Sequence, residues 1–278
     1  NILTKQNSKY SKLNLDTNVN FHLNPARNVV LKIGKFLYQP IHMNFTKQQL
    51  KHHTKRITSV AFYTMLPLLA TGSFDQTVIL YDITTSPPVI QYQLEDHSGF
   101  VYCVIFHPTQ PLLATGSYDC TAIIYNMTTS PPTKQHHLKP HTNGVHCIAF
   151  HPCFPLFAAG SSDTAILYDL TTTPAIITYH FRDHQCFVSS VVFHPCLLIL
   201  ATGSWDNSVI LHDISVSPSV IKYHFKHHTA NVYCVVFHPS LPFLATGSYD
   251  HSTLLYDISA LSSSSSSTTM PSRSSFCF

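Results

Sequence analysis

Short apolar runs alternate with polar turns along most of the chain. Phe100–Phe106 is continuously apolar over the length of one strand, which is typical of a strand buried on both faces. Leu112–Gly116 and Thr121–Tyr125 predict two further strands, and Ser117–Asp119 predicts the turn between them. Val89–Leu94 alternates between apolar and polar residues, which favours an exposed outer strand after a proline-containing loop. We therefore predict a unit of four short antiparallel strands.

This unit occurs five times. Each copy begins with a histidine and has an aspartate 22 residues later, and successive histidines are 43 or 44 residues apart. The histidines are His53, His97, His141, His184 and His228, and the aspartates are Asp75, Asp119, Asp163, Asp206 and Asp250. A fixed period of this length indicates one supersecondary unit stacked repeatedly. Since a four-stranded sheet cannot bury both faces alone, we predict an all-β propeller in which neighbouring blades cover each other.

The repeats resemble those of the WD40-repeat family over residues 45–257. The His…Asp spacing, the ATGSxD turn and the LYD ending carry the resemblance, the last at Leu80–Asp82 for example. The resemblance implies a hydrogen-bond network of His, Thr, Asp and Trp in each blade. By position its hydroxyls are Thr71, Thr115, Thr202 and Thr246, and the third repeat has Ala159 instead. The Trp position holds Tyr81, Tyr125, Tyr168, His212 and Tyr256. Because the tyrosine hydroxyl accepts hydrogen bonds as well as donating them, we expect a different hydrogen-bond pattern at these positions.

The ends of the chain have their own predicted organisation. We expect a frayed or disordered segment at residues 1–18, a degenerate blade at 19–44, the five clear blades at 45–257 and a disordered Ser/Thr-rich tail at 258–278. Phe45–Leu50 aligns with the outer strands, so we expect it to complete the last blade beside Leu254–Asp257. The sequence leaves open whether the ring closes with five or six blades, and an incomplete ring would imply assembly with another molecule. It begins at Asn1, which also leaves open a fragment or a preceding signal peptide.

Composition narrows the class of partner. Hydrophobic residues make up 44% and charged residues 10%, which excludes a disordered chain and disfavours a coiled coil. The net charge of +3 provides no strong attraction to nucleic acid or anionic lipid, and we expect neither as a partner.

Cys103, Cys147 and Cys234 recur at the same position of the apolar runs, and no CxxC is present. We interpret them as core thiols in a reducing compartment, the cytoplasm or alternatively the nucleus.

Two kinds of catalytic chemistry compete with a purely structural interpretation. His, Thr and Asp form a nucleophilic triad in hydrolases, but the same set recurs here at identical spacing in four repeats. The recurring FHP histidines are His107, His151, His194 and His238. Equivalent atoms of successive blades stand around a ring and do not converge as zinc ligands must. We therefore expect that the protein binds no metal or cofactor and is not an enzyme. A propeller hydrolase is the disfavoured alternative. A second alternative is a decayed repeat array without a partner.

The resemblance also implies a binding face. In WD40 proteins, ligands meet residues three and five after the repeat histidine and the residue before the aspartate. Eight of these fifteen positions are aromatic, in a chain that is 12% aromatic: Phe74, Phe100, Tyr102, Tyr118, Phe187, Trp205, Tyr233 and Tyr249. Exposed aromatic residues are frequent at interaction hot spots. We therefore expect a non-catalytic scaffold or adaptor that binds a peptide or protein, the alternative being rings that only stiffen the blades.

Overall fold

Five antiparallel sheets, one for each repeat, form the part of the chain that the computed structural model describes, residues 47–139, 141–162 and 164–263. Four sheets have four strands and the fifth has three. Strands within each sheet follow one another in chain order, so every connection joins neighbouring strands. The predicted fold class, an all-β array of WD40-like propeller blades, is confirmed.

The strand bounds repeat with the period of the sequence. The first blade contains β1 (Ile57–Tyr63), β2 (Leu68–Ser73), β3 (Val78–Asp82) and β4 (Val89–Leu94). The second contains β5 (Val101–Phe106), β6 (Leu112–Ser117), β7 (Ala122–Asn126) and β8 (Thr133–Leu138). The third contains β9 (Cys147–Phe150), β10 (Leu156–Gly160), β11 (Ala165–Asp169) and β12 (Ile176–Phe181). The fourth contains β13 (Val188–Phe193), β14 (Ile199–Ser204), β15 (Val209–Asp213) and β16 (Val220–Phe225). The fifth contains β17 (Val232–Phe237), β18 (Phe243–Ser248) and β19 (Thr253–Asp257), followed by the one-turn helix α1 (Ala260–Ser263).

Burial follows the predicted order of strands within a blade. The second strand is buried along its whole length in the second blade, and Ile123 and Ile124 of the third strand are fully buried there. Continuous apolar sequence suits these strands because both of their faces are covered. The outer strand β4 exposes Val89 and Ile90, as predicted for an exposed outer strand.

Adjacent blades pack through their first two strands, and a glycine makes the close approach possible. A Cβ atom added at Gly72 would lie 2.8 Å from Val101 Cγ1 and 3.0 Å from Val104 Cγ1. At Gly203 the corresponding valines of the next blade, Val232 and Val235, stand equally close. Glycine in the TGS motif therefore provides the space into which the next blade's first strand fits.

The first and fifth blades do not cover each other. Val60 of β1 is 64% exposed, and Leu255 of β19 is 66% exposed, although both positions are buried in every other blade. Within the residues that the structure describes, the five-blade unit is thus an open array with two uncovered end faces. The open ends could not be predicted from the sequence, because the repeat pattern determines only the contacts between neighbouring blades.

Two expectations about the ends are wrong in the described residues. Lys47–Leu50 forms no strand, and Gln48 donates its side-chain amide to Ser86 in the first blade, so this part of Phe45–Leu50 does not complete the fifth blade. The predicted tail starts too early, because Ile258 and Leu261 are buried in the apolar core around the fifth blade. Residues 1–18 and 19–44 and the tail from residue 264 lie outside the described residues.

Helical structure is scarce in this part of the chain. Of the residues that the structure describes, only Ala260–Ser263 form an α-helix, and no helix has the length and apolar character needed to cross a bilayer.

Candidate partner-binding site

In four blades, a hydrogen-bond network joins the segment before the first strand to the second strand and to the turn after it. In the second blade His97 Nδ1 lies 2.9 Å from Asp119 Oδ2, and its Nε2 lies 2.8 Å from Thr115 Oγ1. The corresponding contacts are His53 with Asp75 and Thr71, His184 with Asp206 and Thr202, and His228 with Asp250 and Thr246. The imidazole therefore bridges a strand hydroxyl and a turn carboxylate, 18 and 22 residues away in the chain. Asp163, the third-blade aspartate, lies outside the described residues.

A second hydroxyl, which sequence analysis missed, completes this network. Thr121 Oγ1 donates to Asp119 Oδ1 at 2.6 Å and lies 3.3 Å from His97 Nδ1. The same position holds Thr77, Ser208 and Ser252. Burial alone would raise the pKa of Asp119, but hydrogen bonds from His97, Thr121 and the Ser98 amide outweigh it and hold that pKa well below its usual range. The signal was present in the sequence as a D-x-[ST] motif in these four repeats.

The hydrogen bonds of the third blade differ from those of the other four blades. Ala159 supplies no hydroxyl, and His141 Nε2 instead lies 3.3 Å from Tyr168 Oη. In the second blade the tyrosine at the same position, Tyr125, donates to Asp96 Oδ2 at 3.0 Å. Tyrosine in place of tryptophan thus reaches different partners in different blades, as its donor and acceptor capacity predicts.

The FHP histidines serve as turn caps. His107 Nδ1 accepts hydrogen bonds from the backbone amides of Thr109 and Gln110, at 3.1 and 3.0 Å. His151, His194 and His238 accept from the amides two and three residues later in the same way. Nδ1 must be the unprotonated nitrogen in each case, which explains why this position favours histidine. Among the described residues, no three His, Cys, Asp or Glu side chains come together as metal ligands would.

All eight aromatic residues predicted for the binding face form one continuous line of ring contacts, together with His146. We call these nine residues the aromatic strip. In order along the line they are Phe74, Phe100, Tyr118, Tyr102, His146, Phe187, Trp205, Tyr233 and Tyr249. Centroid distances between successive rings run from 4.1 Å for His146 with Phe187 to 6.3 Å for Tyr233 with Tyr249. The strip therefore crosses all five blades without a gap.

The strip combines stacked and accessible rings. Phe74 and Phe100 stack at 4.5 Å and are half-buried, whereas Tyr118 and Trp205 are 58% and 37% exposed. Burial lowers the pKa of His146 to about 4, so its ring is uncharged near neutral pH. His146, five residues after His141, is one of the fifteen positions of the face but not one of the eight predicted aromatic residues, although its flat ring bridges Tyr102 and Phe187.

Two cations lie at the first-blade end of the strip. Arg56 stands 5.7 Å from the ring centroid of Phe74, and Lys55 Nζ stands 5.9 Å from that of Phe100. Such contacts are favourable because the ring face is electron-rich. The remainder of the strip is uncharged, which favours a partner with apolar or aromatic side chains.

Comparison with known proteins agrees with the repeat geometry. The family described as WD domain, G-beta repeat matches residues 45–82, 89–126, 132–169, 176–213 and 219–257, more than half of the chain. The chain belongs to the WD40-repeat family. WD40 repeats generally mediate protein–protein interaction as scaffolds. None of the curated proteins compared with this chain matches it.

The strand threonines of the WD40 network are not accessible nucleophiles in these four blades. Thr71, Thr115, Thr202 and Thr246 are buried, and each is held by a histidine. A catalytic hydroxyl must be reachable and face an oxyanion site. The buried hydroxyls therefore suit a structural network, and the exposed aromatic strip is the candidate functional surface.

Proposed function

We propose that this WD40 protein is a non-catalytic scaffold or adaptor that binds an extended peptide, or a protein segment, along the aromatic strip. The observation that carries the proposal is the unbroken line of nine rings across five blades. Rings that only stiffened the blades would have no need to be accessible, yet Tyr118, Trp205, Tyr233 and Tyr249 are exposed. Exposed aromatic side chains bury much area at little cost in conformational entropy, which is why they serve as anchors.

The proposed main contacts lie on either side of His146, the middle ring of the strip. Trp205 lies between Phe187, at 4.7 Å, and Tyr233, at 5.7 Å, so a partner side chain could rest on several rings at once. Tyr118 stands on the other side of His146, next to Tyr102 at 6.2 Å. We propose Trp205 and Tyr118 as the two anchor points, because both are exposed while their neighbours hold them in place.

Selection of peptides from a displayed library on the immobilised chain, followed by calorimetric titration of the selected peptides, tests this function. We expect Trp205→Ala to raise the dissociation constant by about 30-fold, which corresponds to about 2 kcal/mol. Tyr223→Ala is the matched control, since Tyr223 is an exposed ring on the outer strand β16, away from the strip.

Two results would contradict the proposal. Selected peptides that bind the Trp205→Ala and Tyr118→Ala variants as tightly as the wild type would place their site elsewhere. A selection that returns no specific peptide would support the alternative of a decayed repeat array without a partner.

We also propose a reducing compartment for the protein, the cytoplasm with the nucleus as alternative. Burial raises the pKa of the Cys103 thiol to about 12, and Cys147 Sγ donates to the backbone oxygen of Val188 at 3.4 Å, so both thiols serve as packed core groups. Cys234, for which the same role was predicted, is exposed on the fifth blade, so that prediction is wrong there. Fractionation of cells that produce the protein would test this, and its recovery in secreted material would contradict it.

A further inference from the structure

The first end face of the array contains side chains that every other blade buries. We call it the leading face; it consists of Ile57, Val60 and Phe62 on β1, which are 44%, 64% and 68% exposed. The residues that occupy the Val60 position in the other four blades are between 1% and 8% exposed: Val104, Ile148, Val191 and Val235. In those blades the preceding blade covers this position. Among the described residues, the leading face is therefore one half of an inter-blade interface without its other half.

The opposite end carries the complementary half. We call it the trailing face; it consists of Val236, Gly247 and Leu255 on the fifth blade, with Val236 57% and Leu255 66% exposed. The residues at the Leu255 position in the first four blades are at most 4% exposed: Leu80, Ile124, Leu167 and Leu211. In those blades the following blade covers this position.

Beside Gly247, the trailing face leaves a space that the next blade fills at equivalent glycines. In the first and fourth blades, the space beside the equivalent glycine is filled by two valines of the next blade, as at Gly203 with Val232 and Val235. A Cβ atom added at Gly247 would meet only Cys234 of its own blade. The side chains that fill this space elsewhere correspond, by repeat position, to Ile57 and Val60 of the leading face.

The rings at the two ends fit the same pairing. Between the first and second blades, Phe100 stacks on Phe74 at 4.5 Å, and these rings stand three residues after the repeat histidine and one before the aspartate. The corresponding residues of the two end faces are Arg56 and Tyr249. Docking in the same geometry would set a guanidinium against an exposed tyrosine ring, which is a favourable cation–π pair.

We propose that the leading face of one copy of this chain docks on the trailing face of a second copy, head to tail, in the geometry of the four interfaces already present within each copy. A second copy is the partner that these observations favour, because it supplies both halves of a contact that the chain already forms between its own blades. Such an interface is heterologous, so repeated docking produces a ring or an open chain of copies. The apolar residues that define the two faces carry no charge, and Arg56 would meet an uncharged ring, so the association should persist at high salt.

Analytical ultracentrifugation of the full chain over a range of concentrations tests this arrangement. The wild type should exceed the chain mass of 31.2 kDa increasingly as concentration rises. Val60→Glu on the leading face and Leu255→Glu on the trailing face should each remain at the mass of one chain. An equimolar mixture of these two variants should form a complex of twice that mass and no larger, because each variant retains the face that the other lacks.

Ile90→Glu is the matched control, since Ile90 is an exposed apolar residue on β4 and belongs to neither face. It should assemble like the wild type, and circular dichroism should show that all three variants are folded. A wild type that stays at one chain mass at every concentration would overturn the proposal, as would a mixture that fails to pair. Assembly that appears only after deletion of residues 1–46 would also overturn the proposal, because it would show that this segment of the same chain covers the leading face.

Discussion

Tyr125 Oη donates a hydrogen bond of 3.0 Å to Asp96 Oδ2, whereas His212, which occupies the same position in the fourth blade, places its Nδ1 3.8 Å from Asp183 Oδ2. Asp96 and Asp183 each precede the repeat histidine, so the two blades offer the same acceptor. The tyrosine reaches it, but the shorter imidazole does not. His212 instead bonds through Nε2 to Thr202 Oγ1 at 3.2 Å.

This difference predicts that His212→Tyr makes the protein less sensitive to acid. Burial lowers the pKa of His212 to about 3 from its usual 6.5. Between these values the unfolded chain binds a proton that the folded chain does not, so the free energy of unfolding falls as the pH drops from about 6.5 towards 3. A tyrosine has no such titration there and could donate to Asp183. We expect the variant to lose about 1–3 kcal/mol less than the wild type between pH 7 and pH 4.

Urea unfolding at the two pH values measures this difference. His180→Tyr serves as control, because His180 is exposed on β12, and its pH dependence should match that of the wild type. The same loss of stability in His212→Tyr and in the wild type would show that the buried imidazole does not cause the acid sensitivity.

The hydrogen-bond network predicts an order of stability losses among the aspartates. Asp119→Ala should lower the free energy of unfolding by about 1–3 kcal/mol, because His97 and Thr121 would keep buried polar atoms without their acceptor. Asp163→Ala should cost less, since Ala159 provides no hydroxyl for the third-blade network. Chemical denaturation at neutral pH would measure the free energy of unfolding of both variants. Equal losses for the two variants would contradict the assignment of these aspartates to the hydrogen-bond network.

The sequence predicted most of the blade and part of the site. Val89–Leu94 has the predicted bounds, because strand alternation and turn residues are local signals. The aromatic positions were found through the family resemblance, and their contact in one line depends on the repeat geometry. The capping role of His107 was missed because a histidine after a strand has no distinctive local pattern. The open ends could not be predicted, since a repeat determines how each blade meets its neighbour but not whether the last meets the first.

The tight turn before the third strand predicts a stabilising substitution. Gln76 has a φ of 75°, and the same position in the fourth blade holds Asn207 with a φ of 69°. A positive φ is disfavoured for most residues with a Cβ atom, and asparagine tolerates it better than glutamine. Gln76→Asn should therefore raise the free energy of unfolding by about 0.5 kcal/mol. Thermal and urea denaturation would measure it, with Gln91→Asn on the exposed strand β4 as a control that should bring no gain.

The largely uncharged aromatic strip predicts that partner binding depends weakly on salt. Contacts to rings release few counterions, unlike contacts to phosphates, for which affinity falls by about 1,000-fold or more between 50 and 200 mM salt. We expect the affinity of a strip-binding peptide to change by less than about threefold over that range. A steep salt dependence would instead assign the main contact to Lys55 and Arg56 at the first-blade end.

The most direct test of the binding role uses Trp205 as its own reporter, since it is the one tryptophan of the chain. Trp205 is 37% exposed within the strip, so its emission reports on solvent contact there. Iodide quenching of the full chain should be measured with and without a saturating selected peptide. We expect a shift of the emission to shorter wavelength and a clear loss of quenching when the peptide is bound. Unchanged emission and quenching at saturation would contradict binding on the aromatic strip.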